Sequence, residues 1–118
     1  IESFLAEVKR QGKQARFGSV KSGGKKAITD YQVLFEAKDY TMIEVDITTG
    51  RTHQIRVHLA EMGHPVVGDG LYGGPGENSL QLGRHLLHAH ALTIEHPVTH
   101  NRIRIESPIP VEFRQIMG

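Results

Sequence analysis

Residues 50–73 run Gly-Arg-Thr-His-Gln-Ile-Arg-Val-His-Leu-Ala-Glu-Met-Gly-His-Pro-Val-Val-Gly-Asp-Gly-Leu-Tyr-Gly. Ile55, Leu59 and Met62 fall at i, i+4 and i+7, which is one stripe of a helix. Thr52 is a good N-cap and Gly63 a good stop. Ile55, Val57 and Leu59 also alternate, as a strand would. The ten-residue length of His53–Met62 and the bracketing Thr and Gly favour a helix. A glycine-rich loop succeeds it over Pro65–Gly76, with a short strand expected at Val66-Val67.

Working outward, the flanks read as strands. Lys25–Ala37 carries Ala27, Thr29, Tyr31, Val33 and Phe35 at period two, with Asp30 and Gln32 opposite. Thr41–Thr48 repeats the pattern with Ile43, Val45 and Ile47. The short polar Lys38-Asp39 link suits an antiparallel hairpin. Downstream, Leu87, Ala89, Ala91 and Thr93 would share a strand face within the ambiguous His85–Ile94. Pro97–Asn101 is a turn, and Arg102–Glu106 alternates Ile with Arg, which predicts a second hairpin. Val111–Met117 fits a short terminal helix starting after proline. The expected class is α+β, with a mostly antiparallel sheet and one helix.

The chain has 118 residues, no Cys, 38% hydrophobic and 23% charged residues. That composition excludes a wholly disordered or collagen-like chain. The absence of Cys excludes disulfides, thiolate metal sites and a cysteine nucleophile. No apolar run approaches the ~20 residues that span a bilayer. The chain begins at Ile1, so the start of the gene product is expected elsewhere. The formal net charge of +1 conceals an asymmetry: residues 1–26 carry seven Lys or Arg against two Glu, and the remainder is net acidic. We read residues 1–24 as a basic, loosely structured lead-in, suited to a polyanion or simply solvated. Residues 25–118 hold the fold.

Several groups could carry chemistry. His88 and His90 would project from one face of a strand, as some metal sites need, but no His-Glu-x-x-His pattern or carboxylate at ligand spacing accompanies them. No metal site is expected. The glycine loop has neither P-loop nor dinucleotide spacing, so Gly68, Gly70 and Gly73 are expected to supply unusual backbone angles. Asp69 reads as a loop-capping residue. Arg56 sits at the edge of the apolar stripe, about 100° around the helix from Ile55. A guanidinium buried there needs an anionic partner. No acid in its helix turn supplies one, so the partner comes from another segment, another chain or a ligand.

The stretch 50–73 as a whole resembles the signature of the RluA-type family of RNA pseudouridine synthases. Gly24–Leu34 is similar to the strand before that signature. Leu87-His88-Ala89-His90-Ala91-Leu92 with His96-Pro97-Val98-Thr99, and Pro108-Ile109-Pro110, are similar to the family's segments downstream of it. The resemblance implies cofactor-free isomerisation of uridine to pseudouridine in ribosomal or transfer RNA, in the cytoplasm, on a nucleotide flipped out of its helix. It implies an aspartate nucleophile, a tyrosine near the base and a basic residue paired with the aspartate. Arg56 occupies the basic position, with Ile55 and Leu59 as pocket residues behind it. Lys25, Lys26, Arg51 and His53 are the candidate RNA-binding residues. The family's aspartate motif, of His-Arg-Leu-Asp type, is absent here, as is its Tyr-x-Ala-Leu-Val-type strand. The expectation is a C-terminal half of a catalytic domain, inactive alone and partnered by a missing N-terminal half. A non-catalytic RNA-binding module of the same fold is the alternative.

Overall fold

The computed structural model describes residues 1–38, 40–73, 87, 91–95, 98–99 and 102–106. The elements are β1 (Glu2–Gln11), β2 (Gln14–Ser19), β3 (Lys25–Glu36), β4 (Thr41–Ile47), α1 (Gln54–Glu61), β5 (Ala91–Glu95) and β6 (Arg102–Glu106). The first four strands form one antiparallel sheet in the order β2-β1-β3-β4. β5 and β6 form a separate antiparallel hairpin, with Ala91 opposite Glu106 and Glu95 opposite Arg102. The fold is thus α+β, mostly antiparallel, with a single helix among the described residues.

Residues 1–24 correct the reading of a loose lead-in, because they build β1 and β2. Their strand pattern is faint: on β1 only Leu5 is fully buried, and the tip is lined with solvated Lys and Arg. Backbone pairing of β1 with β3, from Glu2 opposite Ile28 to Leu5 opposite Lys25, and of β2 with β1 holds them. Gly12, at φ 57°, turns the tight β1–β2 hairpin between Gln11 and Gln14. A bulge between Glu7 and Lys9 shifts the register, which gives β1 extra twist.

The β3–β4 hairpin obeys its alternation. Tyr31 faces Val45 and Val33 faces Ile43 before a second bulge between Val33 and Phe35. On the inner face, Ala27 and Thr29 are wholly buried beneath α1. The same face continues past the helix as Tyr31 and Val33, both about half exposed.

α1 begins one residue later than the Thr52 cap predicts. His53 occupies the cap in the left-handed region (φ 55°), and no side chain caps the helix. Gly63, at φ 86°, ends it as expected. The helix face is shifted too. Its buried positions are Gln54, Val57, His58 and Leu59, while Glu61 is exposed and Met62 is 40% exposed. The spacing i, i+3, i+4 is helical, but it starts at Gln54 rather than Ile55. Two of the inward side chains are polar because β3 supplies their hydrogen bonds. Gln54 Nε2 donates to the Ile28 carbonyl (2.8 Å) and Thr29 Oγ1 (2.9 Å). Its Oε1 accepts from Thr49 Oγ1 (2.7 Å) and the Arg51 N–H (3.0 Å). The small core of Leu5, Ala27, Val57 and Tyr72, flanked by Phe17, Ala60 and Leu71, lies beside this polar contact.

Val66-Val67 is not a strand; it lies in the loop after Gly63. Gly68 and Gly73 have positive φ as read, but Gly70 does not. The terminal helix read over 111–117 lies outside the described residues.

Gln54→Ala removes an amide whose buried partners then lack a mate, which predicts a loss of about 2–3 kcal/mol in folding free energy. Urea unfolding measures it, and a loss below about 0.5 kcal/mol would mean that the buried amide is not what fixes the helix on β3.

Candidate active site

The loop after α1 returns Asp69 beneath the helix. Its side chain has no exposed surface. One carboxylate oxygen, Oδ1, accepts the Leu71 and Tyr72 N–H groups at 3.2 Å, so Asp69 does cap the loop. Two peptide hydrogen bonds do not balance a buried negative charge. Arg56 balances it: Nε donates to Oδ2 at 2.8 Å and Nη2 to Oδ1 at 2.9 Å. The partner that Arg56 requires comes from another segment of this chain, 13 residues away. The pairing raises the Arg56 pKa above its already high ordinary value, chiefly through these hydrogen bonds. The Arg56 side chain is 15% exposed, and its guanidinium is permanently charged and fixed in plane.

Tyr72 holds the face of that plane. The Arg56 guanidinium carbon lies 5.1 Å from the ring centroid, and that of Arg16 lies 5.2 Å from it. Both are at cation–π range. The Tyr72 hydroxyl accepts the Phe17 N–H at 3.0 Å and is 2.8 Å from His53 Nδ1. Arg16 Nη1 donates to the Leu71 carbonyl at 3.0 Å. The rings of Phe17, His53 and Tyr72 meet edge to face, with centroids 5.7 and 5.6 Å apart. β2, the start of α1 and the loop end are therefore tied at one point.

An open cavity of about 460 Å³ lies against this cluster. Arg10, Lys13 and Gln14 from the β1–β2 hairpin form one wall, and Thr52, His53 and Arg56 form the other. Phe17 and Leu71 give it apolar surface. Donors and cations beside the Phe17 and His53 rings suit an anionic ligand with a planar ring.

The structure brings together only some of the expected residues. Arg56 and His53 line the cavity; Ile55 and Leu59 do not, since Leu59 packs inward. Lys25, Lys26 and Arg51 gather elsewhere, with Arg51 Nε donating to the Lys26 carbonyl (2.8 Å) and Lys26 Nζ 3.0 Å from Glu2. Tyr72, Phe17 and the Asp69 fork escape the sequence reading. Their only signal in the chain is Tyr72 standing three residues after a capping Asp. Among the described residues no cluster of three or more His, Asp or Glu could hold a metal. His88 and His90 lie outside them. No described helix is long and apolar enough to cross a membrane.

Behind the site, His58 is buried between Thr29 Oγ1 (2.7 Å from Nδ1) and Ser3 Oγ (2.9 Å from Nε2). A neutral ring, one nitrogen donating and one accepting, satisfies both hydroxyls. Ser19 lies 3.0 Å from Ser3 and donates its hydroxyl to Glu61 at 2.6 Å. Burial lowers the His58 pKa, against a smaller opposing pull from Glu61.

Comparison with known proteins gives the chain its family. Residues 2–61 match the model of a family described as RNA pseudouridylate synthase. An uncharacterized RNA pseudouridine synthase of Synechocystis is 42% identical over 98 residues, covering 83% of this chain and 30% of that protein. Ribosomal large subunit pseudouridine synthase D of Pseudomonas aeruginosa is 40% identical over 124 residues, covering 96% of this chain and 39% of its own length. The solved structure of human RNA pseudouridylate synthase domain containing 1 superposes with a TM-score of 0.71 at 29% identity, over 92% of this chain and 46% of that one. The chain belongs to the RNA pseudouridylate synthase family. It spans about a third of the length of the curated relatives it matches.

The lowered His58 pKa gives a signed pH dependence. The unfolded ring takes up a proton near pH 6.5 while the folded ring does not. Its contribution to stability is full above that pH and is lost as pH falls below it. The melting temperature is expected to drop between pH 7.5 and 5, with a shallower drop in His58→Gln; equal slopes would remove His58 from the account.

Proposed function

We propose that the protein carrying this chain is a pseudouridine synthase acting on ribosomal or transfer RNA in the cytoplasm. The single observation that carries the reading is Arg56. It is a guanidinium held rigidly by Asp69 and Tyr72 on the wall of a cationic cavity, in a chain of this family. In this reading Arg56 pairs with an aspartate nucleophile on a segment outside residues 1–118. Its Nε and Nη2 are used by Asp69, while Nη1 makes no hydrogen bond among the described residues. A second carboxylate meeting that nitrogen would be held in its ionised, nucleophilic form.

The uncovered inner face of β3, at Tyr31 and Val33, fits the same reading. The remaining part of the domain, an N-terminal half, would continue the core across it. The chain supplies the arginine, the cavity wall and cations of the β1–β2 hairpin that meet the RNA backbone. Lys25, Lys26 and Arg51 form a second basic corner for that strand.

The assay is pseudouridine formation in ribosomal and transfer RNA by the full-length protein. Wild type is expected to turn over, and Arg56→Ala to lose at least about a hundredfold in kcat with RNA affinity within about threefold. Residues 1–118 alone are expected to make none. Lys13→Ala should flatten the log–log salt dependence of RNA binding by roughly 0.7–0.9 if it meets one phosphate. RNA binding without turnover by the full-length protein would instead favour a non-catalytic binding module.

A further inference from the structure

We infer that Asp69 is a positioning residue for the isomerisation, acting through Arg56 and touching no substrate itself. The inference rests on the reading of Arg56 given above. Its ground is the double duty of one carboxylate. Asp69 is fixed from below by the Leu71 and Tyr72 N–H groups, and it grips Arg56 with both oxygens. A carboxylate that only capped the loop would need one oxygen and no cation, and it would not need to be fully buried. A fork between a planar guanidinium and a carboxylate sets the orientation of the arginine as well as its position.

The Tyr72 ring constrains the remaining freedom. The fork holds the guanidinium edge and the ring lies 5.1 Å from the guanidinium carbon. Tyr72 is in turn fixed by the Phe17 N–H on β2 and by His53 at the helix start. Among the described residues Arg56 Nη1 is left without a hydrogen bond, and the side chain's entropy is lost on folding rather than on binding. Positioning of this kind acts on turnover rather than on RNA affinity, since the RNA meets the hairpin and rim cations whether or not the guanidinium is aimed.

The test is a double-mutant cycle in the full-length protein. Asp69→Asn and Asp69→Ser both keep an oxygen for the loop N–H groups, and both remove the charged fork. Each is expected to lower kcat about 10- to 100-fold with KM for RNA changed less than about threefold. Added to Arg56→Ala, either should cost less than about twofold more, because the arginine it positions is gone. Arg56→Lys keeps the charge but not the fork, and is expected to fall as Asp69→Asn does. Circular dichroism and KM confirm that each variant folds. Losses that multiply with Arg56→Ala would make Asp69 a loop clamp and overturn the inference. So would folded Asp69 variants, or Arg56→Lys, with wild-type kcat. If both Asp69 variants fail to fold, the Arg56→Lys result decides. A wild-type protein that forms no pseudouridine overturns the underlying reading, and this inference with it; an additive cycle in an active enzyme overturns only the inference.

Discussion

The buried carboxylate of Asp69 constrains much of what surrounds it. A charge with no exposed side-chain surface is tolerated only when it is paired and hydrogen-bonded. Arg56 and two peptide N–H groups meet that demand together. Meeting it fixes the rotation of α1, because Arg56 must face the loop. It also fixes the path of residues 69–72, which delivers Tyr72 into the core between two arginines. Removing either partner would leave the other charged and desolvated. Replacing both with apolar side chains would remove the charges but leave the Leu71 and Tyr72 N–H groups without their acceptor.

The other edge of α1 obeys a related logic with neutral groups. Gln54 and His58 would be poor core residues if burial were judged by hydrophobicity alone. β3 presents a carbonyl and a threonine hydroxyl at the right spacing, so each polar atom finds a mate. Such contacts add modest net stability, yet they permit one helix rotation and one register. Both edges of the helix are thus set by directional bonds, and the apolar cluster of Leu5, Ala27, Val57 and Tyr72 fills the space between. Directional support of this kind holds a guanidinium in one orientation better than a slightly larger apolar core would.

Legibility in the sequence depends on how local the cause is. The β3–β4 and β5–β6 hairpins are readable because alternation at Ala27–Phe35, Ile43–Ile47 and Ile103–Ile105 lies in the chain itself. Gly63 announces the helix end for the same reason. β1 and β2 are not readable, since Lys9, Arg10, Lys13 and Arg16 mask a strand that pairs with β3 from a distance. The helix is evident but its face reads one residue out of phase, because Ile55 and Met62 look like core while Gln54 and His58 are the ones buried. Arg56 is legible as a charge in need of a partner. That Asp69 is the partner is not, because the link crosses a loop whose course depends on Gly63 and Gly68. The family signature points to the site without revealing what holds it together.

Asp69 fixes the Arg56 guanidinium through the charged fork. The most direct measurement of this is the arginine side-chain Nε–H region of a ¹⁵N NMR spectrum of the protein carrying this chain. A sharp Arg56 Nε–H resonance, slow to exchange with water, is expected, and it should be lost in Asp69→Asn while the backbone amide spectrum is retained. An Arg56 Nε–H that exchanges as fast as those of exposed arginines in the folded wild type would contradict this expectation.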